Sequence, residues 1–293
     1  MKHILAVLVW LMSGMLLSAQ TPVEILLWPE GTPTHNGMNG TQEDLEGGQV
    51  AFIPQPSITI YRPARPNGMA IIMCPGGGYE RLALSHEGHD MATWFNTQGI
   101  TYVVLKYRMP NGHSEVPLSD AEQAISLVRR KAAELGINPH RVGIMGASAG
   151  GHLAASLATL YSSEETRPDF QILFYPVISM KPGITHEGSR RNLLGAHPTA
   201  ALEDHFSLEK QVTGQTPQAF IILSSDDEGV IPQNSIDYYM ALNHHHIPTS
   251  LHIYPTGGHG WGFRDYFPYK RQWTGELEKW LRDGLIFTDN TTK

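Results

Sequence analysis

The pentapeptide Gly146-Ala147-Ser148-Ala149-Gly150 constrains this chain more than any other stretch. It lies between the apolar run Val142-Gly143-Ile144-Met145 and a small-residue helical pattern, His152-Leu153-Ala154-Ala155-Ser156-Leu157-Ala158. A serine at such a junction occupies a sharp strand-to-helix turn, which holds its hydroxyl out of the fold with a helix N-terminus behind it. Glycines flank it because a side chain there would collide with the neighbouring strand and helix. G-x-S-x-G is short enough to arise by chance in a chain with 29 glycines, so its weight comes from its surroundings.

Those surroundings alternate between strand and helix. Residues 57–61 alternate in polarity and read as a strand bounded by Arg62-Pro63. Residues 69–74 are continuously apolar, as a strand covered on both faces would be. Residues 86–98 carry Met91, Trp94 and Phe95 on one helical face and close at Gly99. Residues 100–107 are the next strand. Ser119-Asp120-Ala121-Glu122 reads as a capping box opening a helix that ends at Gly136. Strands follow at 141–145, 170–175, 219–223 and 250–254, with helices from Ser148, at 234–242 and at 272–281. Residues 21–57 read as an irregular wrapping segment, and 178–214 as a mixed polar stretch able to hold a small cap. The alternation predicts a mostly parallel central sheet with helices on both faces, an α/β fold forming one catalytic domain over residues 20–293.

A serine hydroxyl is a weak nucleophile and needs a base, which in turn needs an orienting group. On this kind of sheet the chain order is nucleophile, acid, histidine. The strand Ile221-Ile222-Leu223 leads into Asp226-Asp227-Glu228-Gly229-Val230-Ile231-Pro232, which places carboxylates at the functional edge of a parallel sheet. The distance to Val230 and Pro232 selects Asp227, with Asp226 in reserve. The last strand leads into Thr256-Gly257-Gly258-His259-Gly260, where glycines leave His259 free in its backbone. Attack on a carbonyl creates an oxyanion, and donors must await it. The backbone N–H of Ala149 is one, and Gly77 and Gly78 in Pro75-Gly76-Gly77-Gly78-Tyr79 supply the others. That loop has neither the lysine nor the G-x-G-x-x-G spacing of a phosphate site.

Other features have plainer readings. His152, one turn into the nucleophile helix, reads as structural. His244, His245 and His246 diverge around a helix end and do not converge on a metal. Cys74 is the only cysteine, which rules out an internal disulfide, and it reads as a small buried hydrophobe. Trp261, Tyr79 and Tyr107 read equally as core or as sugar-contacting aromatics. The formal net charge of −7 is scattered, with no basic stripe for nucleic acid. Lys2 and His3 precede an apolar stretch from Ile4 that ends in Ser18-Ala19, the pattern of a secretory signal peptide over residues 1–19. That stretch is shorter than the ~20 residues of a spanning helix. The expectation is therefore an exported protein, periplasmic or secreted, with no stable membrane insertion once the signal is removed. Oligomeric state is not legible.

Several motifs carry a family resemblance. Cys74-Pro75-Gly76-Gly77-Gly78-Tyr79, His86-Glu87-Gly88, Leu105-Lys106-Tyr107-Arg108 and the nucleophile stretch Gly146–Leu153 resemble the α/β-hydrolase carbohydrate esterases of Bacteroidetes-type xylan degradation. So do Gly188-Ser189-Arg190-Arg191-Asn192-Leu193-Leu194-Gly195 and Tyr254-Pro255-Thr256-Gly257-Gly258-His259-Gly260. That group holds acetylxylan and feruloyl esterases, some carrying a xylanase label. The chain departs from the pattern in two places: Leu223-Ser224-Ser225 stands where a histidine is usual, and Glu228-Gly229 intervenes in the acid turn. The resemblance implies an α/β-hydrolase fold and a serine esterase acting on an acylated polysaccharide or oligosaccharide, without a cofactor or metal. Two alternatives share the fold: a peptidase of the prolyl-oligopeptidase type, and a glycan-binding protein without catalysis. The residues before 55 are too few for the peptidase's propeller domain. Glycoside hydrolysis would need two carboxylates flanking the sugar bond, and no such pair stands out.

Overall fold

A computed structural model describes residues 21–285. Ten strands occur among them: β1 (Val23–Leu26), β2 (Glu43–Leu45), β3 (Gln49–Ala51), β4 (Ser57–Tyr61), β5 (Gly68–Cys74), β6 (Thr101–Lys106), β7 (Ile137–Ala147), β8 (Gln171–Phe174), β9 (Ala219–Ser224) and β10 (Thr249–Tyr254). The helices are α1 (Ala92–Thr97), α2 (Glu115–Arg130), α3 (Ala132–Leu135), α4 (Ser148–Leu160), α5 (Glu187–Leu194), α6 (Ala200–His205), α7 (Gln233–His244) and α8 (Lys270–Lys279). The proposed signal segment, residues 1–19, lies outside the described residues.

Eight strands form one sheet in the order β1-β4-β6-β5-β7-β8-β9-β10. From β6 to β10 every neighbouring pair is parallel, while β4 pairs antiparallel with both β6 and β1. Both faces are covered, which explains the unbroken apolar run of β5. Ala70, Ile72 and Cys74 join the core beneath α2, α4 and α7. Met69, Ile71 and Met73 point to the other face, where α1 and α8 bring Phe95, Trp273 and Leu277. Alternation with period two thus survives inside a fully apolar strand.

Three local expectations need correction. The helix expected to open at Ser119 begins a turn earlier, at Glu115, and Pro117 is tolerated there because the first turn has no intrahelical N–H bond to lose. Ser119 instead bonds back to the Val116 carbonyl, and Asp120 turns inward to a buried ion pair with Arg108 (2.7 Å). Residues 86–98 are not one helix. A short 3-10 turn, His89–Met91, precedes α1, while Glu87 is committed to contacts at the sheet edge. The segment expected to be irregular contains β1, which zips onto β4, and the β2–β3 hairpin.

Candidate active site

Four loops that leave the C-terminal ends of β5, β7, β9 and β10 converge at one edge of the sheet. At the end of β7 the backbone turns abruptly, from extended at Ala147 (φ −119°) to left-handed at Ser148 (φ 54°). A non-glycine residue held there costs on the order of 1–3 kcal/mol, and the packing around it must hold it in place. Gly150 allows this packing: a Cβ on it would stand 2.1 Å from the Cys74 carbonyl oxygen. The turn presents Ser148 Oγ to His259 Nε2 at 2.8 Å.

His259 is oriented from behind. Its Nδ1 lies 2.6 Å from Asp227 Oδ2, and because a carboxylate only accepts, Nδ1 carries the proton and Nε2 is the basic nitrogen. The Asp227 side chain is fully buried, while His259 keeps 28 % of its surface. Asp227 Oδ1 is filled by the N–H groups of Gly229 (2.9 Å) and Val230 (2.8 Å). The Glu228-Gly229 insertion therefore supplies one of the donors that fix the acid. Asp226 has another task. It is exposed, and its carboxylate accepts the N–H groups of Gly258 and Gly257, which pin the histidine loop and hold its pKa below the usual carboxylate value.

The Pro75–Tyr79 loop turns beneath the serine. Gly77 (φ 134°) and Gly78 (φ 66°) both take positive-φ conformations. The N–H groups of Gly77, Gly78 and Ala149 donate to no acceptor among the described residues, Ala149 because it lies in the open first turn of α4. Three free donors beside a serine hydroxyl are the arrangement that can receive a developing oxyanion.

The stretch between β8 and β9 folds over this site. Asn192 on α5 donates to the Gly78 carbonyl (2.9 Å) and steadies the loop. His186 caps α5: its Nδ1 accepts from the Ser189 N–H, so in the neutral ring the proton sits on Nε2. Burial, and secondarily the nearby His259, push its pKa below the usual value. A neutral N–H donor thus stands beside the triad. Sequence reasoning missed both residues, although they fall within or beside the Gly188–Gly195 motif.

His152 ties the nucleophile helix to its surroundings, with Nε2 at 2.9 Å from the Phe206 carbonyl and Nδ1 at 2.9 Å from the Tyr79 hydroxyl. Burial lowers its pKa from 6.5 to about 4. The unfolded chain therefore binds the extra proton first. The resulting stability is complete above pH 6.5 and is lost as pH falls towards 4, a change of about 3 kcal/mol by linkage. Urea unfolding at a series of pH values should show this slope, and His152→Gln should flatten it; an unchanged slope would contradict the assignment. Tyr79, Tyr107 and Trp261 are core residues, each 2 % exposed or less. The Tyr107 hydroxyl donates to the Pro75 carbonyl (2.7 Å), and the Trp261 indole donates to Ser224 (3.1 Å), in the stretch where the family pattern has a histidine.

This architecture is that of the α/β-hydrolase fold, with Ser148 on its strand-to-helix elbow. The chain belongs to the α/β-hydrolase fold family, whose pattern matches residues 74–263. Among its relatives, an acetylxylan esterase from Xylanibacter ruminicola is 41% identical over 244 residues, which cover 82% of this chain and 49% of the relative. An endo-1,4-beta-xylanase B from Butyrivibrio fibrisolvens is 37% identical over 65% of this chain and 32% of its own length. The chain thus spans half or less of the length of these relatives. A solved acetyl ester-xyloside bifunctional hydrolase from Caldicellulosiruptor lactoaceticus superposes with a TM-score of 0.78 at 36% identity, covering 90% of this chain and 97% of the other.

Proposed function

We propose that this protein is a serine carboxylic ester hydrolase that removes acetyl groups from xylan or a related plant polysaccharide. The observation that carries the reading is the linear relay Ser148 Oγ–His259 Nε2–His259 Nδ1–Asp227 Oδ2, at 2.8 and 2.6 Å, with three free N–H donors beside the serine. His259 takes the serine proton as Oγ attacks the acetyl carbonyl. The carbonyl oxygen gains charge and is received by the N–H groups of Gly77, Gly78 and Ala149. His259 then protonates the departing sugar oxygen, leaving an acetyl group on Ser148. Water, deprotonated by the same histidine, attacks this ester, and the histidine returns that proton to Ser148 Oγ as acetate leaves. Asp227 keeps the imidazole in the required tautomer and stabilises its cation. The cycle consumes only water.

The acetyl group and the xylan backbone are supported by the names of the relatives. A polymeric substrate outside the cell also fits the secretory reading of residues 1–19. The test supplies purified protein with acetylated xylan, methyl ferulate and an aminoacyl-proline amide. Acetate release from xylan that greatly exceeds the other two activities is expected. Cleavage of the amide without acetate release would place the protein among the peptidases instead.

A further inference from the structure

Glu87 is a buried carboxylate, 3 % exposed, with no part in the proton transfers of the triad. Burying such a group is costly unless its oxygens are hydrogen-bonded. Here the two oxygens serve two different loops. Oε2 accepts from the Gly76 N–H at 2.9 Å, one residue before the Gly77 and Gly78 donors. Oε1 accepts from the Tyr175 hydroxyl at 2.7 Å. That hydroxyl oxygen in turn accepts from the Gly262 N–H at 2.8 Å, in the loop that carries His259. The Tyr175 ring lies edge-on against the His259 imidazole, with centroids 4.8 Å apart and planes at 64°. The neighbouring backbone adds a further tie, as the Phe263 N–H donates to the His86 carbonyl at 2.8 Å.

The same carboxylate is packed tightly against the reacting centre. A Cβ on Gly76 would stand 2.5 Å from Glu87 Oε2 and 2.8 Å from the Ser148 Cβ. Only a glycine lets the oxyanion loop, the carboxylate and the nucleophile meet so closely. Tyr175, with φ at 34°, is held in a left-handed conformation that a tyrosine rarely adopts. Its N–H is anchored to the Ile222 carbonyl at 2.7 Å, and its hydroxyl is fixed by both Glu87 and Gly262.

We propose that Glu87 is a positioning residue that registers the oxyanion loop and the His259 loop against each other around Ser148, through Gly76 on one side and Tyr175 with Gly262 on the other. The physical reason is the tolerance of the chemistry. Oxyanion donors must already sit where charge will develop, and a misplacement of about 1 Å can cost about 10²-fold in rate. The two loops come from opposite ends of the sequence, so their spacing needs a connector that touches both. The proposal rests on the serine-triad reading.

Glu87→Gln tests it with almost unchanged shape. One carboxylate oxygen becomes an amide nitrogen, so either the Gly76 N–H or the Tyr175 hydroxyl faces a donor instead of an acceptor. Tyr175→Phe removes the hydroxyl and keeps the ring against His259, so it reads the same link if Glu87→Gln does not fold. In each variant, competent sites are counted by complete labelling with a fluorophosphonate. Turnover of p-nitrophenyl acetate per site is then measured beside the affinity for a boronic acid that mimics the tetrahedral state. The expected result is a fall of roughly 10- to 100-fold in kcat, with KM unchanged and boronate affinity lost in parallel. Wild-type kcat per site and wild-type boronate affinity in both variants, with only a lowered melting temperature, would overturn the proposal and leave Glu87 a merely structural group. Activity that survives in Ser148→Ala would mark failure of the triad reading instead.

Discussion

Replacing Ser148 with alanine is expected to lower kcat on an aryl acetate by on the order of 10⁶-fold while the protein keeps its fold. The size follows from what the serine does. In the proposed mechanism its oxygen forms the covalent bond to the acyl group, and among the described residues it is the hydroxyl that bonds to His259 Nε2. The 2.8 Å contact to His259 would vanish with it, leaving a base with nothing to activate but water. Stability should change little or rise slightly, because alanine carries no hydroxyl to satisfy, although either residue must accept the positive φ of 54° at that position. Progress curves at high enzyme concentration, with circular dichroism as a check on folding, measure both effects. A loss of less than about a hundredfold would mean that the acyl group is transferred elsewhere.

Asp227→Asn is expected to cost about 10⁴-fold in kcat, and Asp226→Asn about tenfold or less. The two carboxylates are adjacent in sequence and opposite in role. Asp227 is buried, holds the His259 Nδ1 proton at 2.6 Å, and is itself fixed by Gly229 and Val230. An asparagine there can turn its amide towards Nδ1, which stabilises the wrong tautomer and puts a proton on the nitrogen that should act as base. Asp226 only braces the loop through Gly257 and Gly258, in contact with solvent, so its loss loosens the histidine without changing its chemistry. Steady-state kinetics of both variants on one substrate decide the matter. Equal losses, or the larger loss at Asp226, would reverse the assignment.

The meeting of Ser148, Asp227 and His259 was legible in the sequence because each follows an apolar strand and the chain order is set by the sheet. The spacing to Val230 that favours Asp227 over Asp226 reflects a backbone turn in which the Val230 N–H reaches the Asp227 carboxylate. What could not be read were the residues whose meaning depends on a partner far along the chain. Glu87 stands out in the sequence only as part of the His86-Glu87-Gly88 motif, and its partner, the Tyr175 hydroxyl, lies 88 positions further on. The Ser119 capping signature misled for a related reason: Asp120 is drawn into the interior by Arg108, and the helix starts a turn earlier. Tyr79, Tyr107 and Trp261 were ambiguous between core and cleft, because composition says nothing about which surface closes over a ring. His186 and Asn192 lie in a polar stretch whose docking onto the oxyanion loop has no periodic signal.

The central claim is that the acyl group passes through Ser148, and the most direct measurement is to find where a covalent mimic of that acyl group attaches. Purified protein treated with a fluorophosphonate and digested should give a single modified peptide, the one containing Ser148, with activity lost in step with labelling. Ser148→Ala should take no label. Modification of a different residue, or turnover that persists in fully labelled protein, would contradict the account.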